Sequence, residues 1–420
     1  MTELTKARRH YHIVVLVLVV FFAISFITNI LNSIIVDVKE SFDLSLALTG
    51  LLPFSFFIAY GVMSIPAGFL SEKYSDRSLL SISFLLMVAA SLLFVIFPGY
   101  LVFSLTLFCL GCCMAILQVV INPMLRAAGG EEHFAFNSVL AQLVFGLASF
   151  ASPYLYIYLV NDGAAQTGLS ELLRSFVPTE LPWVSLYIVF ALLALVLFLV
   201  VRFTRYPSYQ KKESEKTGDS QSYFGLLKNK YTLLFFFGIF CYVGTEQGIG
   251  NWISQFLSEY HGLDAQTTGA NTVSYFWGML TAGCLLGLLL LRLMDSRKLL
   301  IGATLITMGC LIVAIMGTSE VALMAFPLLG FFISVMWSII FSLGLNSVRS
   351  NHGSLSGILC TGIAGGAIMP LIVGLIGDHF SLKIGMAFLL LPLLFILSIG
   401  FWAKPLVGNR TIQLKKKTDE

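Results

Sequence analysis

The sequence predicts an all-α membrane protein: twelve transmembrane helices in two pseudo-symmetric six-helix bundles. Three observations predict it. The 420 residues are 57% hydrophobic and only 11% charged, with a mean hydropathy of +0.89, far more apolar surface than a soluble domain needs. Twelve apolar runs are long enough to cross a bilayer. Those runs fall into two sets of six that echo each other in sequence.

The first six runs cover 12–37, 47–71, 78–97, 100–125, 135–160 and 183–203; the second six cover 231–259, 267–291, 298–317, 320–348, 354–377 and 383–404. The chain therefore divides into an N-terminal bundle (1–204), a cytoplasmic linker (205–230), a C-terminal bundle (231–404) and a basic cytoplasmic tail (405–420). The linker holds the polar run K-K-E-S-E-K-T-G-D-S, the composition of a solvated connector, and ends in a short amphipathic piece from Tyr223 to Lys230. The tail reads as solvated, with contact to anionic lipid as the second reading. The long loop from Asn161 to Pro182 reads as a surface cap with no chemistry of its own.

Charge sets the orientation. With the N-terminus inside, only Lys39, Arg174 and Lys383 of the 25 Lys and Arg residues fall outside, which places both termini in the cytoplasm of a cell whose inner membrane the chain spans. All seven cysteines lie inside apolar runs and read as small buried hydrophobes, not disulfides or metal ligands. The first run is long enough to span and no small-residue cleavage site follows it, so no cleavable signal is expected.

The repeat is visible in short motifs. D-R-S-L-L from Asp76 opens the third run and D-S-R-K-L-L from Asp295 opens the ninth. D-L-S-L-A-L-T-G from Asp43 and D-A-Q-T-T-G from Asp264 lead into the second and eighth. Pro153 and Pro370 hold matching places in the fifth and eleventh, and the offset stays at roughly 220 residues, as expected of paired transporter repeats.

The seventh run carries the one charged side chain left deep in the membrane, Glu246, within Y-V-G-T-E-Q-G-I-G-N-W. A carboxylate in hydrocarbon faces a cavity, finds a partner or takes up a proton. Gly244, Gly248 and Gly250 surround it and permit close approach of a backbone or ligand. The alternative is a protonated Glu that only packs one helix on another. Amides recur mid-helix elsewhere: Asn29 and Asn32 in the first run, Gln118 and Asn122 in the fourth, Gln142 in the fifth, Gln247 and Asn251 in the seventh. Trp252, Tyr275, Trp277 and Trp337 add aromatic faces. Amides both donate and accept, and rings stack on C–H faces, so together they suit a polyhydroxylated ligand such as a sugar. Singly, each amide is as well explained by inter-helix hydrogen bonding, and the aromatics by core filling or interfacial anchoring. The six histidines sit at helix ends rather than as proton relays. No phosphate-binding loop, nucleophile elbow, metal cluster or nucleic-acid patch appears, so an enzyme, an ATP-driven pump and a nucleic-acid partner are disfavoured.

Against this background the chain resembles the major facilitator superfamily. The turn G-F-L-S-E-K-Y-S-D-R, Gly68 to Arg77, looks like a degenerate form of its signature between helices two and three. The resemblance implies that Glu72, Lys73, Asp76 and Arg77 form a conformational latch. Further matches point to its fucose–galactose–glucose symporter branch. They are N-I-L-N-S-I-I from Asn29, A-Y-G-V-M-S-I-P-A-G from Ala59, L-Q-V-V-I-N-P from Leu117, C-Y-V-G-T-E from Cys241 and G-G-A-I-M-P-L-I-V-G-L-I-G-D from Gly365. The branch implies a monomeric cation-coupled importer of a fucose-, galactose- or glucose-like monosaccharide, with no cofactor and with proton or sodium as coupling ion. Two departures matter: Ser33 and Gln118 stand where the typical member of the branch carries an Asp and a Glu, so that proton route does not transfer and Glu246 becomes the candidate ion-coupling group. Two rival readings remain. An exporter working by proton antiport lacks its usual helix-five pattern in F-G-L-A-S-F-A-S-P, and a non-transporting sensor or scaffold lacks an output domain.

Overall fold

A computed structural model describes residues 10–44, 46–160, 168–206 and 225–412; within the helices, the side chains of 31–33, 35, 36, 46–51, 53, 150, 153, 265 and 266 are not described. Among the described residues, twelve helices are long and apolar enough to span a membrane. They are α1 (Tyr11–Ser41), α2 (Leu46–Lys73), α3 (Asp76–Ile96), α4 (Tyr100–Gly129), α5 (Phe134–Val160) and α6 (Ser185–Phe203), followed by α7 (Lys230–His261), α8 (Ala270–Leu293), α9 (Ser296–Met316), α10 (Ser319–Leu345), α11 (His352–His379) and α12 (Leu382–Trp402).

The ends follow local chemistry. Ser75 caps α3 by accepting from the Ser78 amide, and Asp295 caps α9 by accepting from the Arg297 amide, so the two repeated motifs do the same work. Gly262, at φ 63°, ends α7 in the left-handed conformation a glycine tolerates. Three helices are interrupted. α10 breaks at Ser334 and Val335, α11 tightens into a 3-10 turn at Gly362–Ala364, and α12 is interrupted at Leu389. Residues 225–228, in the expected amphipathic piece, are helical, and Gly168–Arg174 in the long loop forms a short helix tied down by Arg174 Nε donating to Leu159 O at 2.6 Å.

The sequence repeat is a repeat of packing. In the first half α1 packs on α5, α2 and α3 on α4, and α3 on α6; in the second, α7 packs on α11, α8 and α9 on α10, and α9 on α12. The halves meet through α2 on α11 and α5 on α8, which the same offset exchanges. Glycines bring the α2–α11 seam to backbone contact: a Cβ on Gly357 would lie 2.5 Å from Ser64 O and 2.8 Å from Gly68 Cα.

One expectation is corrected. The tail does not trail into solvent along its described length. Residues 403–412 run as an irregular strap across the helix ends, with Leu406 N donating to Asn346 O and Ile412 N to Arg292 O, both at 2.7 Å.

Candidate functional site

A ring of contacts circles the middle of the molecule. On α1, Asn29 Nδ2 donates back to Ser25 O at 2.9 Å, and the Ser25 hydroxyl donates to Phe145 O on α5. Gly146, next on α5, lies against Thr281 of α8. One turn along α8, Trp277 lies against Gly250 of α7, where a Cβ would stand 3.1 Å from its ring. On α7, Gln247 faces Gly366 of α11, and Phe57 of α2 approaches the same glycine from the other half. Six helices of both halves thus converge around Gln247, Trp277 and the α5 face that carries Gln142, which is half-buried.

Glu246 is 8% exposed. The Tyr242 hydroxyl, one helical turn away and itself buried, donates to its Oε1 at 2.9 Å. The carboxyl group is therefore engaged by its own helix, while its sequence neighbour Gln247 lies at the seam between halves. A buried carboxyl held by a single hydroxyl is a group whose protonation state the surrounding helices must accommodate.

Gln118 and Asn122 are buried on α4, at 7% and 0% exposure. Asn122 Nδ2 donates to the Gln118 backbone carbonyl at 2.7 Å, and the side-chain oxygens of both residues are buried without a hydrogen-bond partner. Unsatisfied buried acceptors are uncommon and call for a donor. Gln118 keeps some access; Asn122 keeps none and is bonded to its own helix, which suits packing better than ligand contact. Asn251 is exposed on the later part of α7. The side chain of Asn32 lies outside the described residues.

The aromatic residues separate. Trp252 is engaged by α11, its Nε1 donating to Pro370 O at 3.0 Å and its ring filling the space beside Gly374. Trp337 is buried and stacked on Phe341, with centroids 4.8 Å apart. Tyr275 is 63% exposed on the α8 face that also carries the exposed Leu286 and Leu293, away from the seam. Trp277 is the aromatic group that remains at the convergence of the helices.

The residues of the turn between α2 and α3 make contacts of different reach. Glu72 does cross between halves: its Oε1 accepts from the Ser354 amide at 2.9 Å, a carboxylate at the amino end of α11. Lys73 lies over Tyr74 of its own turn and Arg77 over Tyr206 at the start of the linker. The hub is Arg126 on α4, a residue that reads in sequence as one more inside charge. It is 6% exposed; its Nε donates to Asn346 Oδ1 at 2.7 Å, its Nη1 to His352 Nε2 at 3.0 Å, and it pairs with Glu131 at 3.1 Å. Asn346 Nδ2 donates in turn to Glu131 O. Together with the Glu72 bond and the Gly68–Gly357 contact, this joins the halves at the end where lysines and arginines gather.

The pattern of helices, seam and repeat has a counterpart among known proteins: the profile of the Major Facilitator Superfamily matches residues 17–364. The chain belongs to this superfamily. Near its full length it is similar to the glucose/galactose transporter of Brucella abortus biovar 1 (strain 9-941), 29% identical over 98% of this chain and 97% of that protein. It is 24% identical to the L-fucose-proton symporter of Escherichia coli (strain K12) over 84% of each chain. The crystal structure of FucP in the outward conformation superposes with a TM-score of 0.81 at 21% identity, covering 93% of this chain and 98% of that one. The proton:xylose symporter XylE follows at a TM-score of 0.73 and 11% identity, covering 95% and 97%. At these identities the two structures establish the fold alone, that of a multi-pass helical membrane protein.

Proposed function

We propose that this superfamily member imports a monosaccharide of the glucose, galactose or fucose kind by alternating access, coupled to a proton that Glu246 carries. The protein sits in the inner membrane as a monomer with its Lys- and Arg-rich end in the cytoplasm. The observation that carries the reading is the pairing on α7 of a buried carboxyl, held by Tyr242, with Gln247 at the seam between the halves. Gln118, Gln142, Gln247 and Trp277 bind the sugar, the amides exchanging hydrogen bonds with its hydroxyls and the indole covering its C–H face. Asn29, Asn32 and Asn251 are secondary positions in the same site. Binding is favoured in the outward form, where the Arg126 hub and the α2–α11 seam seal the cytoplasmic end; protonation of Glu246 from outside and release inside give transport its direction. Names of near full-length relatives, the glucose/galactose transporter and the L-fucose-proton symporter, support this substrate class and coupling ion.

The test is uptake of labelled glucose, galactose and fucose into proteoliposomes under an imposed proton or sodium gradient. Glu246→Gln, which mimics the protonated acid, is expected to keep sugar binding and exchange and to lose gradient-driven accumulation. Accumulation that follows a sodium gradient alone would transfer the coupling role to sodium, with Glu246 as an oxygen ligand. A Glu246→Gln protein that accumulates sugar like the wild type would reduce Glu246 to a packing residue.

A further inference from the structure

The strap at 403–412 is anchored in a particular way. It does not fill a groove. Its alternate residues 405, 407, 409 and 411 are half-buried and the ones between are exposed, the period of an extended segment lying on a surface. A cavity of about 970 Å³ lies beneath it, walled by Tyr11, His133 and Asn137 of the first half and by Leu291 and Arg292 of the second. Discrete hydrogen bonds hold it, and most end on carbonyls that a helix leaves without a partner in its last turn. Asn409 Nδ2 donates to Leu291 O at 2.9 Å and Met294 O at 3.0 Å, while Asn409 Oδ1 accepts from the Ser296 amide at 2.9 Å. Ile412 N reaches Arg292 O, and Leu406 N reaches Asn346 O, the residue whose side chain receives Arg126. All of these anchors belong to the second half.

Arg410 reaches the other half. Its amide donates to Glu132 O at 2.9 Å and its guanidinium pairs with the Glu132 carboxylate at 3.4 Å, in the turn between α4 and α5. A segment rooted on α8 and α10 therefore holds the first bundle from outside the membrane core. If the cytoplasmic ends of the bundles part, α8 and the α4–α5 turn move apart and the Arg410 contacts cannot persist.

We infer that residues 403–412 are a releasable strap that holds the cytoplasmic end closed and whose detachment at Arg410 accompanies inward opening, so that the tail acts as a brake on the transport cycle. The inference rests on the alternating-access reading but not on the identity of the sugar. The exposed Arg410–Glu132 ion pair contributes little by itself; the amide bond to the Glu132 carbonyl and the reach of the anchored chain are what must be broken.

Spin labels at Lys73 and Lys298, exposed at the cytoplasmic end of opposite halves, report the opening as a distance distribution in a background with the native cysteines replaced. Arg410→Pro deletes both the amide donor and the guanidinium while leaving the Asn409 anchors. It is expected to raise the ratio of open to closed populations about three- to tenfold, the worth of one or two net hydrogen bonds. Truncation after Lys404 is expected to do the same or more, and Glu132→Gln, which removes the carboxylate's pairs with Arg410 and His133 but keeps the amide bond, to stay within about twofold. Hydrogen exchange at the Leu406, Arg410 and Ile412 amides is expected to quicken when the cytoplasmic end opens. Unchanged distances in both Arg410→Pro and the truncated protein would overturn the strap. Label distances that respond while no sugar is taken up would uphold the strap and overturn the sugar reading. Ends that never separate in any variant would overturn both strap and alternating access.

Discussion

Gln118 shows how much one side chain can decide. On α4 the structure leaves its side-chain oxygen buried with no donor. In the proposed function a sugar hydroxyl supplies the donor this oxygen lacks. Gln118→Ala is therefore expected to weaken sugar binding by about 1–3 kcal/mol while the protein stays folded and inserted. Intrinsic tryptophan fluorescence can report the titration, because Trp277 lies at the convergence of helices around Gln247; Trp277→Phe is expected to abolish the sugar-dependent change, and Trp252→Phe and Trp337→Phe to preserve it. Affinity unchanged in Gln118→Ala would remove this residue from the site. The residue scale is also where sequence reasoning was least complete. Amides and aromatics were all legible as residue types, but whether an indole faces a ligand or a neighbouring helix depends on a few tens of degrees of helix rotation. Trp252 and Trp277 differ in this way: one is held by Pro370 and Gly374, the other stands beside Gly250.

At the scale of elements, hydropathy and capping residues announce the helices, and the repeated Asp motifs mark matching turns. What hydropathy cannot announce is an interruption inside a uniformly apolar run, such as the breaks in α10 and α11, since both arrangements bury the same residues. Nor does it reveal which glycines touch a second backbone. The α2–α11 seam depends on that contact: the helices close to a distance at which a Cβ on Gly357 would collide and one on Gly68 would be tight. Gly357→Val is expected to cost the closed cytoplasmic end about 1–3 kcal/mol, as overpacking does, and to shift the Lys73–Lys298 distance distribution towards the open form. Gly309→Ala on α9, where a Cβ meets nothing within 4 Å, is the matched control and is expected to leave the distribution alone. Identical distributions for the two variants would show that the seam tolerates a looser fit and does not govern closure.

For the whole molecule, the repeat makes two equivalent bundles, and what breaks their equivalence is the set of contacts at one end. The positive-inside pattern concealed this, because a buried Arg and a solvated Arg look alike in a count of charges. Arg126 is the buried one. Its fork joins the end of α4 to the end of α10 and the start of α11 through Asn346 and His352, and Asn346 also carries the strap through its carbonyl. On the alternating-access reading, these side-chain bonds between the halves exist only while the helix ends are together, so their free energy belongs to one conformation and not to the fold of either bundle. Arg126→Ala is expected to remove about 1.5–3 kcal/mol from the closed form, the range for hydrogen bonds to a charged group. That corresponds to a rise of about 10- to 150-fold in the open-to-closed ratio. Arg126→Lys keeps the charge but not the fork geometry and is expected to fall between Ala and wild type. The Lys73–Lys298 distances, set beside thermal stability in detergent, separate a gate from a structural brace. A gate moves the distances in both variants while the melting temperature changes little; a brace lowers the melting temperature and leaves the distances of the folded fraction where they were.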